Sequence, residues 1–145
     1  VDGDILAFAS TTRADPEATM VPLPRKVHYL NLNTNEQWRL HSDTHWFGCQ
    51  EGLAVDGEHL VFETRNPETG FSNIMLYNVR TQERTFIDPQ KAAQYTPRVS
   101  GNKVVWTDGR NEDPPSAYLS PKNGDIYIYD IDTKKSAPVE TESSK

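Results

Sequence analysis

Short stretches of alternating apolar and polar residues recur along the chain, each bounded by polar turn residues. Three of them begin with Val, a polar residue and Gly, at Val1–Phe8, Val55–Phe62 and Val99–Trp106. Alternation of this kind predicts a strand with one buried side. The Asp-Gly or Ser-Gly pair before each strand predicts a tight hairpin turn, because such turns need positive φ.

A second alternating stretch follows each first one and ends near a Thr, and a third, shorter stretch comes after it. The markers Gly3, Gly57 and Gly101 are 54 and 44 residues apart, and Thr34, Thr81 and Thr133 are 47 and 52 apart. A repeat of about 50 residues with about four strands is typical of β-propeller blades.

We therefore predict an all-β fold of about three four-stranded antiparallel blades, with strands A to D running from the centre outward. The predicted blades cover 1–41, 42–88 and 89–139, the first lacks most of strand A, and a disordered tail covers 140–145. The predicted strands are 4–9, 26–33 and 36–41; 51–55, 58–64, 73–79 and 83–88; and 96–99, 103–108, 125–131 and 135–140.

Three blades do not close a ring, because propellers have about four to eight. We expect the chain to be part of a larger propeller or one of several chains that complete one. A stack of sheets that is not a propeller is the alternative.

The third repeat carries a family resemblance. Pro97–Asn111, followed by Asp125–Thr133, resembles the repeat of the TolB-like (WD40-like, PD40) β-propeller family. The family usually has Gly after the Thr of the outer turn, whereas this chain has Asn35, Gln82 and Lys134. The resemblance implies the blade fold and an extracellular, cell-surface or periplasmic location, but no particular function.

Composition narrows the classes of function. Of 145 residues, 15 are Lys or Arg and 21 are Asp or Glu, and the net charge of −6 disfavours nucleic acid as a partner. Cys49 is the only cysteine, so no disulfide forms within the chain. No apolar run is long enough for a membrane span. Apolar residues make up 35%, which fits thin blades with long polar loops.

The longest predicted connections lie on one side of the blades. They are the B–C connections 10–25, 65–72 and 109–124 and the D–A connections 41–50 and 88–95. Long loops on a rigid scaffold are where binding sites concentrate. We predict that a protein or a glycan binds there.

The first D–A loop holds the richest set of side chains. His41, Asp43 and His45 are competent transition-metal ligands, and Trp46 lies beside them. We favour a loop in which Trp46 packs under the rim and the histidines face solvent. A bound metal is the alternative. His41, His45 and Trp46 are candidate binding residues under either interpretation.

A second candidate site is the acidic loop 108–113. Asp108, Asn111 and Asp113 are oxygen ligands suited to Ca²⁺, although the loop lacks the complete EF-hand pattern. We favour an ion pair of Arg110 with Asp108 or Asp125 that staples the blade. Arg110 is retained as a candidate binding residue.

Aromatic residues in or near loops, Trp38, Trp46 and Tyr118, are candidates for stacking on a sugar or a peptide. Nucleophile and nucleotide motifs are absent from the sequence. We therefore predict a non-catalytic binding or scaffold module without a cofactor, whose further partners are other chains or the rest of a propeller. The alternative is part of a propeller polysaccharide lyase or hydrolase with a His-bound metal.

Overall fold

The computed structural model describes residues 4–11, 25–40, 52–112 and 124–139, and all regular structure in these ranges is β-strand. The strands are β1 (Ile5–Thr11), β2 (Arg25–Asn31), β3 (Gln37–Leu40), β4 (Leu53–Asp56), β5 (His59–Arg65), β6 (Ser72–Asn78), β7 (Arg84–Ile87), β8 (Gln94–Ser100), β9 (Lys103–Asp108), β10 (Asp125–Asp130) and β11 (Lys135–Pro138).

The strands form three antiparallel sheets in which sequence neighbours pair. Their orders are β1-β2-β3, β4-β5-β6-β7 and β8-β9-β10-β11. The predicted all-β architecture of propeller blades is confirmed, and we call these sheets the first, second and third blades. Within the described ranges the first blade has three strands, and β1 occupies the position that strand B has in the other two.

The strand positions agree with the sequence pattern to within about two residues. One difference of two residues is at β8, for which the pattern predicts a start at 96 and which begins at Gln94. The reason is a bulge between Tyr95 and Arg98, beyond which Gln94 pairs with Asp108. Pro97 lies in this bulge, where a residue without an N–H is tolerated inside a strand. Of the predicted strand A residues at 51–52, Gly52 precedes β4 and Glu51 lies outside the described residues, as does the tail 140–145.

The second blade packs against a neighbour on each side. Side chains alternate between the two faces of a strand, so Leu60 and Phe62 face the first blade while Val61 faces the third. One apolar cluster joins the first and second blades: Ile5, Tyr29, Leu40, Leu60, Phe62 and Tyr77. The other joins the second and third: Val61, Ile74, Leu76, Ile87, Val104, Trp106, Tyr127 and Tyr129.

The outer hairpin turn has the same geometry in all three blades. The side-chain oxygen at the end of strand C, on Asn31, Asn78 or Asp130, accepts hydrogen bonds from the backbone N–H groups two and three residues later. This contact fixes the turn locally, since short Asn and Asp side chains mimic a backbone turn. The residue four positions after this Asn or Asp donates its backbone N–H to the backbone carbonyl of the same Asn or Asp. The distance from nitrogen to oxygen is 2.8 Å in each blade.

That fourth residue has a left-handed backbone conformation in every blade. Its φ is 60° at Asn35, 62° at Gln82 and 56° at Lys134. These are the positions where the TolB-like repeat usually has Gly, which enters this region without steric cost. The turn therefore keeps its geometry, and the hydrogen bonds around it compensate for the strain of a non-Gly residue.

Replacing these strained residues by Gly should stabilise the protein. Gln82→Gly and Lys134→Gly should each raise the free energy of unfolding by about 0.5–1 kcal/mol, because relief of strain exceeds the added entropy of the unfolded chain. Asn35→Gly should give a smaller increase in the free energy of unfolding, since Asn tolerates this conformation. Chemical denaturation measures the changes.

The opposite substitution provides the control. Gly57 and Gly101 have φ of 56°, and a Cβ added at either position would meet no atom within 4 Å beyond the adjoining residues. Gly57→Ala or Gly101→Ala should therefore destabilise by about 1 kcal/mol through backbone strain alone. Equal effects of the two sets of substitutions would contradict the strain argument.

Candidate functional site

The two edges of the blades differ in the length of their connections. On one edge, called the turn face, lie the two-residue A–B turns 57–58 and 101–102 and the C–D turns. On the other, called the loop face, lie the strand ends from which all connections between strands B and C and between successive blades leave. These connections run over 12–24, 41–52, 66–71, 88–93 and 109–124.

Arg110 lies at the loop face, directly after β9. Its Nε donates to Oδ1 of Asp108 at 3.0 Å, and its Nη2 donates to Oδ2 at 2.7 Å. The same Nη2 donates to Oδ2 of Asp88 at 2.8 Å. The guanidinium carbon lies 3.8 Å from the ring centroid of Tyr127, a cation–π contact. Arg110 therefore ties together the second and third blades.

Asp108 is fully buried and accepts further hydrogen bonds from Trp106 Nε1 at 2.9 Å and from Gln94 Nε2 at 3.0 Å. Burial by itself raises the pKa of this carboxyl. The bonds from Arg110, Trp106 and Gln94 outweigh that effect and hold the pKa below its usual value. In the same way, burial opposes the charge of Arg110, but its two carboxylate partners raise its pKa.

Asp88 and Gln94 complete this polar group, which we call the arginine cluster (Asp88, Gln94, Asp108 and Arg110). Gln94 Nε2 donates to the backbone carbonyl of Asp88 at 2.9 Å, and its Oε1 accepts from Ile74 N–H at 3.1 Å. Asp88 Oδ2 also accepts from Ser136 Oγ at 2.8 Å. The buried polar atoms of the cluster are thus paired across the junction of two blades.

The predicted ion pair of Arg110 with Asp108 is confirmed. Asp125, the other predicted partner, instead accepts a hydrogen bond from Asn111 Nδ2 at 2.7 Å. Sequence reasoning missed Asp88 and Gln94, whose contacts depend on the packing of two blades. Both oxygens of Asp108 are taken up by protein donors. No group of three or more His, Cys, Asp or Glu side chains in the described ranges is arranged to hold a metal ion.

The second blade anchors its loop face with amides instead of an arginine. Asn73 is buried, and its Nδ2 donates to the carbonyls of Gln90 at 3.1 Å and Ala92 at 3.2 Å. Its Oδ1 accepts from Asn66 and Thr69. Asp125 occupies the equivalent position at the start of strand C in the third blade, where it accepts a hydrogen bond from Asn111.

A cleft of about 430 Å³ opens on the turn face between the first and second blades. Trp38 lines it and stacks on Tyr29, with ring centroids 5.0 Å apart, and the Tyr29 hydroxyl lies 3.3 Å from that of Tyr77. At the rim, Arg80 Nε pairs with Glu58 at 3.0 Å. The complete lining is Asp4, Ile5, Tyr29, Asn31, Trp38, Gly57, Glu58, Val79 and Arg80. Trp38 is thus placed where a ligand can reach it.

Most of the other predicted site residues lie outside the described residues. They are His41, Asp43, His45, Trp46, Asp113 and Tyr118. Their assignment to a binding or metal site stays a prediction.

Comparison with solved structures identifies the architecture. The β-propeller domain of the Trilobed protease from Pyrococcus furiosus, described as having an open velcro topology, superposes with a TM-score of 0.65 over 99% of this chain and 42% of that one, at 15% identity. TolB from Acinetobacter baumannii gives a TM-score of 0.55 over 83% of this chain and 27% of that one, at 14% identity.

The fold is that of a TolB-like β-propeller. The chain spans less than half the length of either structure. No protein-family model matches the sequence, and no curated protein matches it. Within the described residues, no helix has the length and apolarity to cross a membrane.

Loss of the Arg110 charge should weaken the junction of the second and third blades. Arg110→Met leaves the buried Asp108 carboxylate without its cationic partner, and removing one member of such a pair costs about 3–5 kcal/mol. Urea denaturation measures the loss. Arg65, which is exposed at the corresponding end of β5, provides the matched control. Arg65→Met should change stability by less than about 0.5 kcal/mol, and equal losses would contradict a special role for Arg110.

Asp108 should also contribute to the acid sensitivity of the protein. Its folded-state pKa is below the unfolded value of 3.8, so its stabilising effect is complete above that pH and is lost as the pH falls through the folded pKa. Asp130, whose pKa is held at about 2 chiefly by Lys103, also contributes to the loss of stability at low pH.

In the Asp108→Asn variant, the free energy of unfolding should therefore depend less steeply on pH below about pH 4. The part of the dependence that is due to Asp130 should remain. Unfolding free energies measured across this range test the point. An unchanged slope of the free energy of unfolding against pH in the variant would contradict this role of Asp108.

Proposed function

We propose that this chain is a non-catalytic β-propeller module that holds a protein or a glycan on its loop face. One observation carries the proposal. Every connection between strands B and C and between successive blades leaves from this face, while the turn face has short turns of repeated geometry. Long connections mounted on a sheet scaffold are a common basis for binding sites.

The described part of the loop face is held firmly, which supports a binding role. Asp88 and Ala92, at the two ends of the connection 88–93, are fixed by Arg110 and Asn73. A connection that is ordered before binding loses less conformational entropy when a ligand docks. In this proposal the arginine cluster holds the start of the connection 88–93 in place, and it does not itself contact the ligand.

The perturbed acid–base groups of the loop face have structural partners. Against the effect of burial, Arg110, Trp106 and Gln94 lower the pKa of Asp108, and Asp108 and Asp88 raise the pKa of Arg110. Together with a sequence that lacks nucleophile motifs, this favours binding over catalysis. The alternative, a polysaccharide lyase or hydrolase, predicts a bound metal on His41, Asp43 or His45. Metal analysis combined with a polysaccharide degradation assay tests it.

The likeness to TolB-like repeats supports placing this module outside the cytoplasm, as a secreted, periplasmic or cell-surface protein. Fractionation of the native host with an antibody against the chain tests this part of the proposal. Recovery in the cytoplasmic fraction would contradict it.

The aromatic cleft on the turn face is a second candidate for the binding site. Trp38 and Tyr29 provide apolar rings, and Glu58 and Arg80 provide polar groups at the rim. Sugars are bound by this combination of aromatic and polar side chains.

Binding measured on a glycan array and with a random-peptide phage library decides between the two faces. If the loop face binds, the double variant Trp46→Ala/Tyr118→Ala should weaken the affinity for a retained probe by about 10-fold or more, as for an aromatic anchor. Trp38→Ala should leave it unchanged. The reverse result assigns the site to the cleft and contradicts the loop-face proposal. A chain that retains no probe from either library contradicts a binding module of any kind.

A further inference from the structure

The cleft on the turn face contains aromatic residues that the blade repeat does not require. Strand C ends in each blade at the start of the same outer turn, at Asn31, Asn78 and Asp130. Two residues earlier, the paired positions on strands C and D are equivalent in the three blades: Tyr29 with Trp38, Leu76 with Thr85, and Ile128 with Ala137. Because a Leu and a Thr serve at the junction of the second and third blades, blade packing does not explain the aromatic pair.

The aromatic pair is held in place before any ligand arrives. Trp38 stacks on buried Tyr29 with ring centroids 5.0 Å apart and an angle of 11° between the ring planes. Trp38 is partly exposed, and its indole N–H has no hydrogen-bond acceptor among the described residues. A rigid ring with a free donor is a surface on which a ligand can dock at a low cost in conformational entropy.

The rim of the cleft offers both hydrogen-bond donors and acceptors. Arg80 Nε pairs with Glu58 at 3.0 Å, and the Arg80 side chain is 76% exposed. The other N–H groups of this guanidinium are therefore available to an acceptor. Asp4 is exposed and adds a second carboxylate to the lining. The backbone N–H of Val79 donates to the carbonyl of Glu58 at 2.9 Å, which joins the two turns of the second blade at this rim.

The equivalent groove between the second and third blades has different chemistry. The bond of Val79 to Glu58 recurs there as the bond of Ile131 to Asn102, so Glu58 and Arg80 correspond to Asn102 and Asp132. Asn102 Nδ2 donates to Asp132 at 2.7 Å. Of the two grooves, only the one between the first and second blades combines a guanidinium with an aromatic stack.

The charges of the lining limit the class of ligand. A cation would be repelled by Arg80, and an anion would be repelled by Asp4 and Glu58. A neutral ligand that carries hydroxyl groups can donate to the carboxylates and accept from the guanidinium. A pyranose also has an apolar C–H face that fits against the Trp38 ring. The cleft volume of about 430 Å³ lies in the range of small-molecule sites.

We propose that the turn-face cleft binds a neutral pyranose unit, with Trp38 against its C–H face and with Asp4, Glu58 and Arg80 bonded to its hydroxyls. The inference rests on the second candidate of the proposed function and names the ligand class of that site. Both walls of the cleft belong to blades that the structure describes, so the site does not depend on what precedes or follows the chain. A sugar in the cleft is compatible with a partner on the loop face, because the two faces are opposite edges of the blades.

Titration with free sugars, followed by NMR of the indole N–H groups, tests the proposal. The probes are the methyl glycosides of glucose, galactose, mannose and N-acetylglucosamine at millimolar concentrations. At least one should shift the Trp38 signal saturably. The Trp106 signal should stay unchanged, because that ring is buried and its N–H bonds to Asp108. A panel in which no sugar shifts the Trp38 signal overturns the proposal.

Charged analogues test the ligand class. The uronic acid and the amino sugar that match the bound hexose should each bind about 10-fold more weakly, because each meets a like charge in the lining. If either binds as tightly as the neutral sugar, the assigned class is wrong. A matching trisaccharide that binds more tightly identifies a glycan as the source of the pyranose, and equal affinity identifies a free sugar.

Substitutions in the cleft test the residues. Trp38→Thr introduces the residue type of the second blade at this position, so folding should persist, as circular dichroism can confirm. It should raise the dissociation constant about 10-fold or more, as loss of an aromatic anchor does. Glu58→Gln changes an exposed side chain and should raise the constant about 5-fold by removing a charged acceptor. The backbone amide signals of Val79 and Arg80 report the affinities.

Arg39→Gln is the matched control and should leave the dissociation constant unchanged. Arg39 is exposed and follows Trp38 on β3, so its side chain lies on the other side of the blade. If Trp38→Thr and Glu58→Gln also leave the affinity unchanged, the sugar binds elsewhere and the proposal is wrong.

The two binding proposals fail separately. A loop-face probe that is lost in Trp46→Ala/Tyr118→Ala, together with no sugar shift at Trp38, overturns this inference and leaves the loop-face proposal intact. A sugar shift that persists in that double variant, with an affinity that falls in Trp38→Thr, supports this inference alone.

Discussion

The structure depends on the requirement that a thin sheet cover both of its sides. A four-stranded blade is one residue layer thick, and its alternating side chains place apolar residues on each side. The second blade satisfies this requirement, with Leu60 packed toward the first blade and Val61 toward the third, both fully buried. Among the described residues, the first and third blades each pack against another blade on one side only, and Leu32 and Ile126 on their other sides are exposed.

The arginine cluster fixes how the second and third blades are aligned, because its hydrogen bonds are directional and apolar packing is not. Apolar contacts alone let adjacent blades slide, whereas the bidentate contact of Arg110 with Asp108 and its bond to Asp88 require one alignment. The buried carboxylate is tolerated because Trp106 and Gln94 donate to it as well. The junction that buries the core therefore also fixes the start of the connections where we place the binding site.

The fold was predictable in detail because its signals are local. Strand alternation is readable from one residue to the next, and the Gly and Thr markers place the turns. Even the departure at Asn35, Gln82 and Lys134 left the turn intact, since the preceding Asn or Asp supplies its hydrogen bonds from within the same few residues. The candidate site was less predictable. The pair of Arg110 and Asp108 lies within three residues and was found, whereas the bond of Arg110 to Asp88 spans 22 residues and was missed.

The sequence by itself determined the number of repeats, the class of fold, the strands and a net charge that disfavours nucleic acid as a partner, because these follow from local pattern and composition. Only the tertiary structure decided which side of each strand meets a neighbour, that Gln94 and Asp88 bridge two blades, and that Trp38 and Tyr29 open onto a cleft. These features arise where separate repeats come together. Residues such as Ile74 and Ile126 occupy the same place in the repeat, yet Ile74 is buried against the third blade whereas Ile126 is exposed.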